Sequence, residues 1–310
     1  MKQIIKNKRA QVFTLLAISI ITLMFVSFEI FSVVEQRQPI KMRISSMDSF
    51  LFSLEENLER QVYISGFRII FLAEEEILRK GIYISDIDAF FGEAFFNGTV
   101  NGETKDVLTG AVYNDLIASI NEKASKINVE ISLKNPRILV SQDDPWHIKF
   151  TFISDFIMRD KAGLARWEKE ENISAYIPIS NFEDPIYTIN TNAKIARKIN
   201  RTIYEGIYII SGNSSNLFSH VNKNYYAENS GAPNFLKRLG GDLSADENGI
   251  ESFVNLNELS REGIPIKEKS SIDYIYFSSN NPPYQSVSGM PSWFKIDDQD
   301  NHLFKYNISG

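Results

Sequence analysis

Hydrophobic positions along the chain fall into three regimes. The first is a single apolar run from Val12 to Phe28, uncharged until Glu29, that resumes as Ile30-Phe31-Ser32-Val33-Val34. A bilayer core takes about 20 apolar residues in helix, so positions 11–34 are long enough to span it as one transmembrane helix. Four cations precede the run, Lys2, Lys6, Lys8 and Arg9, and they favour a cytoplasmic N-terminus with everything beyond about residue 36 outside. Glu29, near the outer end of the run, is read as an interfacial acid.

The second regime has spacings of three and four. Pro39 is expected to interrupt the chain, after which Ile44, Met47, Leu51, Leu54 and Leu58 mark one face of an amphipathic helix from about Ile40 to Lys80. Asp48, Glu55, Glu56 and Glu59 decorate the other side, and Arg79-Lys80-Gly81 forms a stop. The cluster Phe90-Phe91 and Phe95-Phe96 reads as core, and a further helix is expected from about Lys105 to Lys126. From Ile127 the period becomes two: Val129-Ile131-Leu133, Ile138-Val140, Ile148-Phe150-Phe152 and Ile173-Ala175-Ile177-Ile179 alternate with polar residues. Breaks at Asn135-Pro136, Asp143-Asp144-Pro145 and around Asp160–Gly163 predict an antiparallel β-meander that ends at Glu183-Asp184-Pro185.

The final third mixes patterns. It predicts helices at Asn216–Tyr226 and Ser252–Leu259, a strand at Asp273–Phe277, and a closing hairpin of Ser292–Ile296 with Leu303–Ile308 across Asp297–Asn301. The expected fold class is α+β. It divides into a basic cytoplasmic leader (1–10), a membrane helix (11–34), a helical stem with further helices (40–126) and an α+β extracytoplasmic domain (127–310), its meander packed on helices.

Arg9-Ala10 followed by Gln11-Val12 and the apolar run resembles the prepilin-type (class III) signal of archaeal type IV pilins and related surface proteins. The resemblance covers roughly the first 35 residues. It implies cleavage between Ala10 and Gln11 by a prepilin peptidase, with pilin-like subunits as partners of the mature chain. Many pilins carry a Glu near the fifth mature position; here that position is Leu15. An uncleaved signal anchor is the alternative. A cleaved secretory signal fits less well, because the run is long and no small-x-small site follows it.

Composition narrows the class without naming a function. The chain has 310 residues, 43% hydrophobic, and no cysteine, so an exported domain of this kind is held by an ordinary core rather than disulfides. Its formal charge is −6, and loss of the four leader cations brings it to −10. An acidic exterior argues against nucleic acid and anionic lipid as partners. Asn-x-Ser/Thr acceptors stand at Asn97, Asn172, Asn200, Asn213 and Asn307, and roughly three are expected by chance. No P-loop, G-x-G-x-x-G, H-E-x-x-H or G-x-S-x-G motif occurs, so no cofactor and no enzyme activity are expected. A deep pocket gathering His147 or His302 with carboxylates would overturn that. Asp298 and Asp300 share the spacing that opens a calcium loop, without its central Gly and distal Glu. The expectation is a single-pass cell-surface protein: a minor or accessory pilin-like subunit, or else a non-polymerising anchored binding or adhesion module.

Overall fold

The computed structural model describes residues 8–308, with the side chains at 8–10, 33–34 and 36–39 outside the description. Helix α1 runs unbroken over Lys8–Lys80, 73 residues. Pro39 therefore does not interrupt it, contrary to the sequence expectation. A proline removes one i→i−4 hydrogen bond and costs an interior helix about 3 kcal/mol. Here the bond lost is that of the Glu35 carbonyl; Glu35 is exposed, and water can replace the bond. Long runs of intact helix on either side carry the axis through. Gly81, with φ +66°, ends the helix as expected, its N–H donating to the Ile77 carbonyl.

The two halves of α1 have opposite surroundings. Gln11–Ser32 has a mean hydropathy of 2.2 and none of it is buried. From Met47 onward the helix is built into a core through Met47, Leu54, Leu58, Val62, Ile69, Ile70, Ala73 and Ile77. After α1 come α2 (Ile87–Asn97), the short strands β1 (Thr99–Val100) and β2 (Glu103–Thr104), and α3 (Tyr113–Lys126). The helix expected from Lys105 is delayed to Tyr113. A 3-10 turn at Asp106–Leu108 and the left-handed Gly110 come first. Asp86 caps α2 by accepting from the Ala89 N–H. Phe91 and Phe95 are fully buried, within ring contact of Phe150.

Strands β3 (Val129–Asp144), β4 (His147–Asp160) and β5 (Arg166–Pro178) form an antiparallel sheet in the order β3-β4-β5. Asn135-Pro136 does not break β3. The chain passes through a bulge with Asn135 at φ +48°, and the register shifts between Lys134 and Arg137. Three contacts align the sheet with α1. Gly66 lies against Ile177 and Phe150, Lys169 pairs with Glu55 at 2.5 Å, and Arg43 pairs with Asp160 at 2.7 Å. Arg43 to Gly66 spans about 35 Å of helix, and Asp160 back to Phe150 about 33 Å of strand. The lengths agree, so β4 and β5 run alongside the helix and the β4–β5 turn points toward its apolar end.

The remainder is short elements and loops: α4 (Pro185–Asn190), α5 (Ser215–Asn222), β6 (Tyr226–Glu228), α6 (Phe235–Gly240), β7 (Ile250–Ser252), α7 (Leu256–Arg261), α8 (Asp273–Phe277), β8 (Tyr284–Ser286), β9 (Lys295–Asp297) and α9 (His302–Lys305). Three sequence expectations fail here. Asp273–Phe277 is a turn of helix, not a strand, because Asp273, Tyr274, Ile275 and Tyr276 are all buried. An apolar run buried all round carries no period. Nor do Ser292–Ile296 and Leu303–Ile308 form a hairpin: β9 pairs with β8, and Leu303 lies in α9. Asp297 ends the strand by accepting from the Gln299 N–H and from His302 Nδ1. Ser252 closes β7 rather than opening a helix, and α7 starts after the Asn255 cap.

Candidate functional site

Four residues of α1 at spacings of four, three and four, Phe67, Phe71, Glu74 and Leu78, form a stripe beside the buried face. They line a cavity of about 340 Å³ whose other wall is the segment from Ser180 to Glu183 with Pro185, Thr188 and Lys198. The Asp184 N-cap and Pro185 at the first turn of α4 set that wall. Phe67 meets Phe182 with ring centroids 5.3 Å apart, yet Phe67, Phe71 and Leu78 remain 41%, 48% and 52% exposed. The rim is thus apolar and open.

Glu74 is the polar group of this cavity. Its Oε1 is buried and has no hydrogen-bond partner. Burial pushes its carboxyl up to about 9, with Glu183 and Asp184 adding like-charge repulsion against the opposing Lys198 and the Glu183 N–H. At neutral pH it is a protonated acid with room for one hydrogen bond. Its neighbours behave differently: Glu75 is exposed, and Glu76, although buried, is held at about 2 by Arg79, Lys80 and Lys105. Such a cavity can hold an apolar body carrying one hydrogen-bonding group. No histidine lines it to activate the Ser180 or Thr188 hydroxyl. The sequence reading did not single out Glu74. The signal was present as a carboxylate inside a 4-3-4 apolar stripe.

Two ionic centres lie deeper. Arg238 bridges Asp184 at 2.5 Å and Asp273 at 3.0 Å, all three with wholly buried side chains. Tyr226 donates to Asp184 and Ser252 to Asp273. In the second, His302 bridges Glu251 at 3.0 Å and Asp297 at 2.9 Å, again wholly buried. Glu251 also takes Lys305, Tyr306 and Asn229. Burial lowers His302, but the two carboxylates outweigh it and raise it to about 10. His302 thus gathers carboxylates as a catalytic site would, but no substrate can reach a wholly enclosed group. His147 pairs with Asp144 at 3.0 Å on the surface. Burial brings His220 down to about 3.

The sites expected from sequence are scattered. Arg9, Ala10 and Gln11 lie on the first turns of α1, Gln11 exposed; Lys2 and Lys6 fall outside the described residues. Asn97, Asn172 and Asn213 are exposed, and Asn200 is half-buried. Asn307 is exposed, but its Oδ1 accepts from the Tyr208 N–H, and Ser309 of its triplet lies outside the description. Asp300 accepts from the Tyr274 hydroxyl at 2.9 Å. Among the described residues, no group of three or more His, Asp or Glu could hold a metal ion. Tyr226, Tyr274, Tyr276 and Tyr306 are core residues. Comparison with protein-family models, with curated proteins and with solved structures finds no match to this chain.

Proposed function

We propose that this chain is a single-pass surface protein, N-terminus in the cytoplasm and α+β domain outside, acting as a minor or accessory subunit of a type IV pilus-like structure. In this reading the β3–β5 sheet is a meander packed on the helices of the exterior. The carrying observation is α1: one continuous helix, apolar and wholly exposed over Gln11–Ser32 and then locked into the domain core from Met47. Lipid satisfies the exposed half while the subunit is anchored. After cleavage behind Ala10 the same face is free to pack against other subunits' helices. Mass spectrometry of the native protein's N-terminal residue tests this. A start at Gln11 supports it; a start at Met1 removes processed assembly.

The second reading is an anchored binding module that does not polymerise. The Glu74 cavity favours it, because an orphaned buried oxygen in an apolar recess suits a ligand with an apolar body and one donor. Saturable binding of a short alkylamine or alkanol, weakened by Glu74→Leu, would support it.

A further inference from the structure

The formal charge of −6 hides an uneven distribution. Because β4 and β5 run down α1, the β4–β5 turn, the end of α3 and the α3–β3 junction all lie at the end of the domain nearest the apolar span. Arg43 ties them together. Its guanidinium donates to Asp160 Oδ1 from Nε at 3.0 Å and Nη2 at 2.7 Å, and to the Asn128 carbonyl at 3.0 Å. Asp160 in turn holds the turn through the Leu164 N–H at its Oδ2 and the Gly163 N–H at its carbonyl.

Lys41, Arg43, Lys126, Arg159, Lys161 and Arg166 gather at this end among the acids Glu35, Asp48, Glu122, Glu130, Asp160 and Glu168. Arg43, Lys126 and Arg166 are paired with Asp160, Glu122 and Glu168, and Arg159 stands across the ladder from Glu130. Lys41 and Lys161 are exposed and in no ion pair among the described residues. Leu164, at the turn, is 48% exposed.

Height decides what such a surface can touch. Ser32 closes the apolar span, and Arg43 stands about 16 Å above it along the helix. The headgroup layer occupies roughly 5–7 Å of that, and the turn beyond Asp160 descends about 5 Å more. Lys161 and Leu164 are then about 5 Å above the headgroups, inside a Debye length of about 8 Å at physiological salt.

We infer that the membrane-facing end of the domain, Lys41, Arg159 and Lys161 around Leu164, binds the anionic headgroups of the bilayer that holds α1. The lysines supply the attraction, and Leu164 at the turn is held next to the headgroups. Overall acidity, which argued against anionic lipid, is a net figure over the whole chain, whereas Lys41 and Lys161 at this end are exposed and unpaired among the described residues. The inference rests on the reading of α1 as a membrane anchor.

The absence of cysteine makes the test clean. Full-length protein carrying Leu164→Cys, labelled with an environment-sensitive fluorophore, is placed in bilayers of phosphatidylcholine with or without phosphatidylglycerol. Headgroup-attached spin label should quench the fluorophore at least about twofold more in phosphatidylglycerol. High salt, or Lys41→Glu with Lys161→Glu, should abolish the difference. The side chains of those two lysines make no hydrogen bond or ion pair among the described residues, and Lys161 holds the Asn128 carbonyl only through its backbone N–H, which the substitution keeps; circular dichroism checks folding. Equal quenching in both bilayers, or no response to charge reversal, overturns the proposal. A second label at Ser19→Cys reports on the anchor. If acyl-chain spin label quenches it while position 164 stays unquenched, the anchor stands and the headgroup contact falls. If position 19 is not quenched either, the anchor reading falls too.

Discussion

Gly66 is where helix α1 comes closest to the sheet, and replacing it measures that contact. A Cβ added there would lie well inside 3.0 Å of Ile177 Cδ1 and 3.1 Å from Phe150 Cγ, and both neighbours are fully buried. Two effects oppose each other in Gly66→Ala. Helix propensity gains about 1 kcal/mol, while overpacking a filled core costs about 1–3 kcal/mol. Ile177 is fully buried and branched at Cβ, and Phe150 Cγ and Cβ, 3.1 and 3.2 Å away, close the other side. Overpacking therefore wins, with a net loss of about 1 kcal/mol.

The partner substitution makes the result specific. Ile177→Val removes the clashing methyl and alone costs about 1 kcal/mol. Combined with Gly66→Ala it relieves the overlap, so the alanine's propensity gain reappears. The pair should couple by about 1–2 kcal/mol, as expected for side chains in contact. Urea unfolding of the full chain in detergent, followed by tryptophan fluorescence, reads all four corners of the cycle. If Gly66→Ala stabilises by about 1 kcal/mol whether or not Ile177 is changed, α1 does not bring residue 66 to the sheet and the fold described here is refuted.

Arg238→Met should cost about 3–5 kcal/mol in the same assay, because it leaves Asp184 and Asp273 buried without their cation; a loss under 1 kcal/mol would mean water reaches that centre. Glu74 is raised from 4.5 to about 9, so the folded state binds the extra proton, and stability present below about pH 4.5 drains away as pH rises toward 9. Glu74→Gln should flatten that fall and be more stable than the parent by about 1 kcal/mol or more at pH 8, with no gain at pH 4. His302 is raised from 6.5 to about 10, so its contribution is complete below pH 6.5 and is lost as pH rises through about 10. In the Glu74→Gln background a melting-temperature profile should still fall near pH 10, and His302→Gln should remove that last step while lowering stability at neutral pH.

Much of the first two-thirds of the fold was legible because its burial is one-sided. The stripe at Met47, Leu54 and Leu58 and the alternations at Val129, Ile131 and Leu133 and at Ile173, Ala175 and Ile177 each record a single buried face, which leaves a period in the sequence, whereas the central strand β4 is also buried on its other face at Thr151 and Ile153. Two interruptions were overestimated. Pro39 and Asn135-Pro136 are local breakers, but long elements on both sides absorbed them as a helix without one hydrogen bond and a strand with one bulge. The final third was harder for a different reason. Its elements are only three to eight residues long, too short to establish a period, and some, as at Asp273–Phe277, are buried on nearly every side so that no face is marked. Its order comes from Arg238 and His302 joining carboxylates 35 and 51 residues away, Asp273 and Glu251, and no local pattern announces such pairs. Glu74 lies between these cases: its position was readable, its burial was not, because the loop from Ser180 to Glu183 that covers it is distant in sequence.

On the proposed reading of α1 as a membrane anchor, its geometry also gives the anchored state a preferred tilt. Its apolar span of 22 residues measures about 33 Å in helix, slightly more than a hydrocarbon core of about 30 Å. A tilt of about 20–25° absorbs the excess at little cost. For a lone helix the direction of tilt is free. Here the sheet lies on one side of α1, its axis roughly 10 Å away, so tilting toward that side lowers the β4–β5 turn by about 3–4 Å. That removes most of the gap between Lys161 and the headgroups, and the electrostatic gain selects this direction over the others. The Arg43–Asp160 clamp makes domain and helix turn together. If the subunit assembles as proposed, withdrawal of α1 into a helical assembly would take the same turn away from lipid, so the proposed headgroup contact would favour the unassembled subunit.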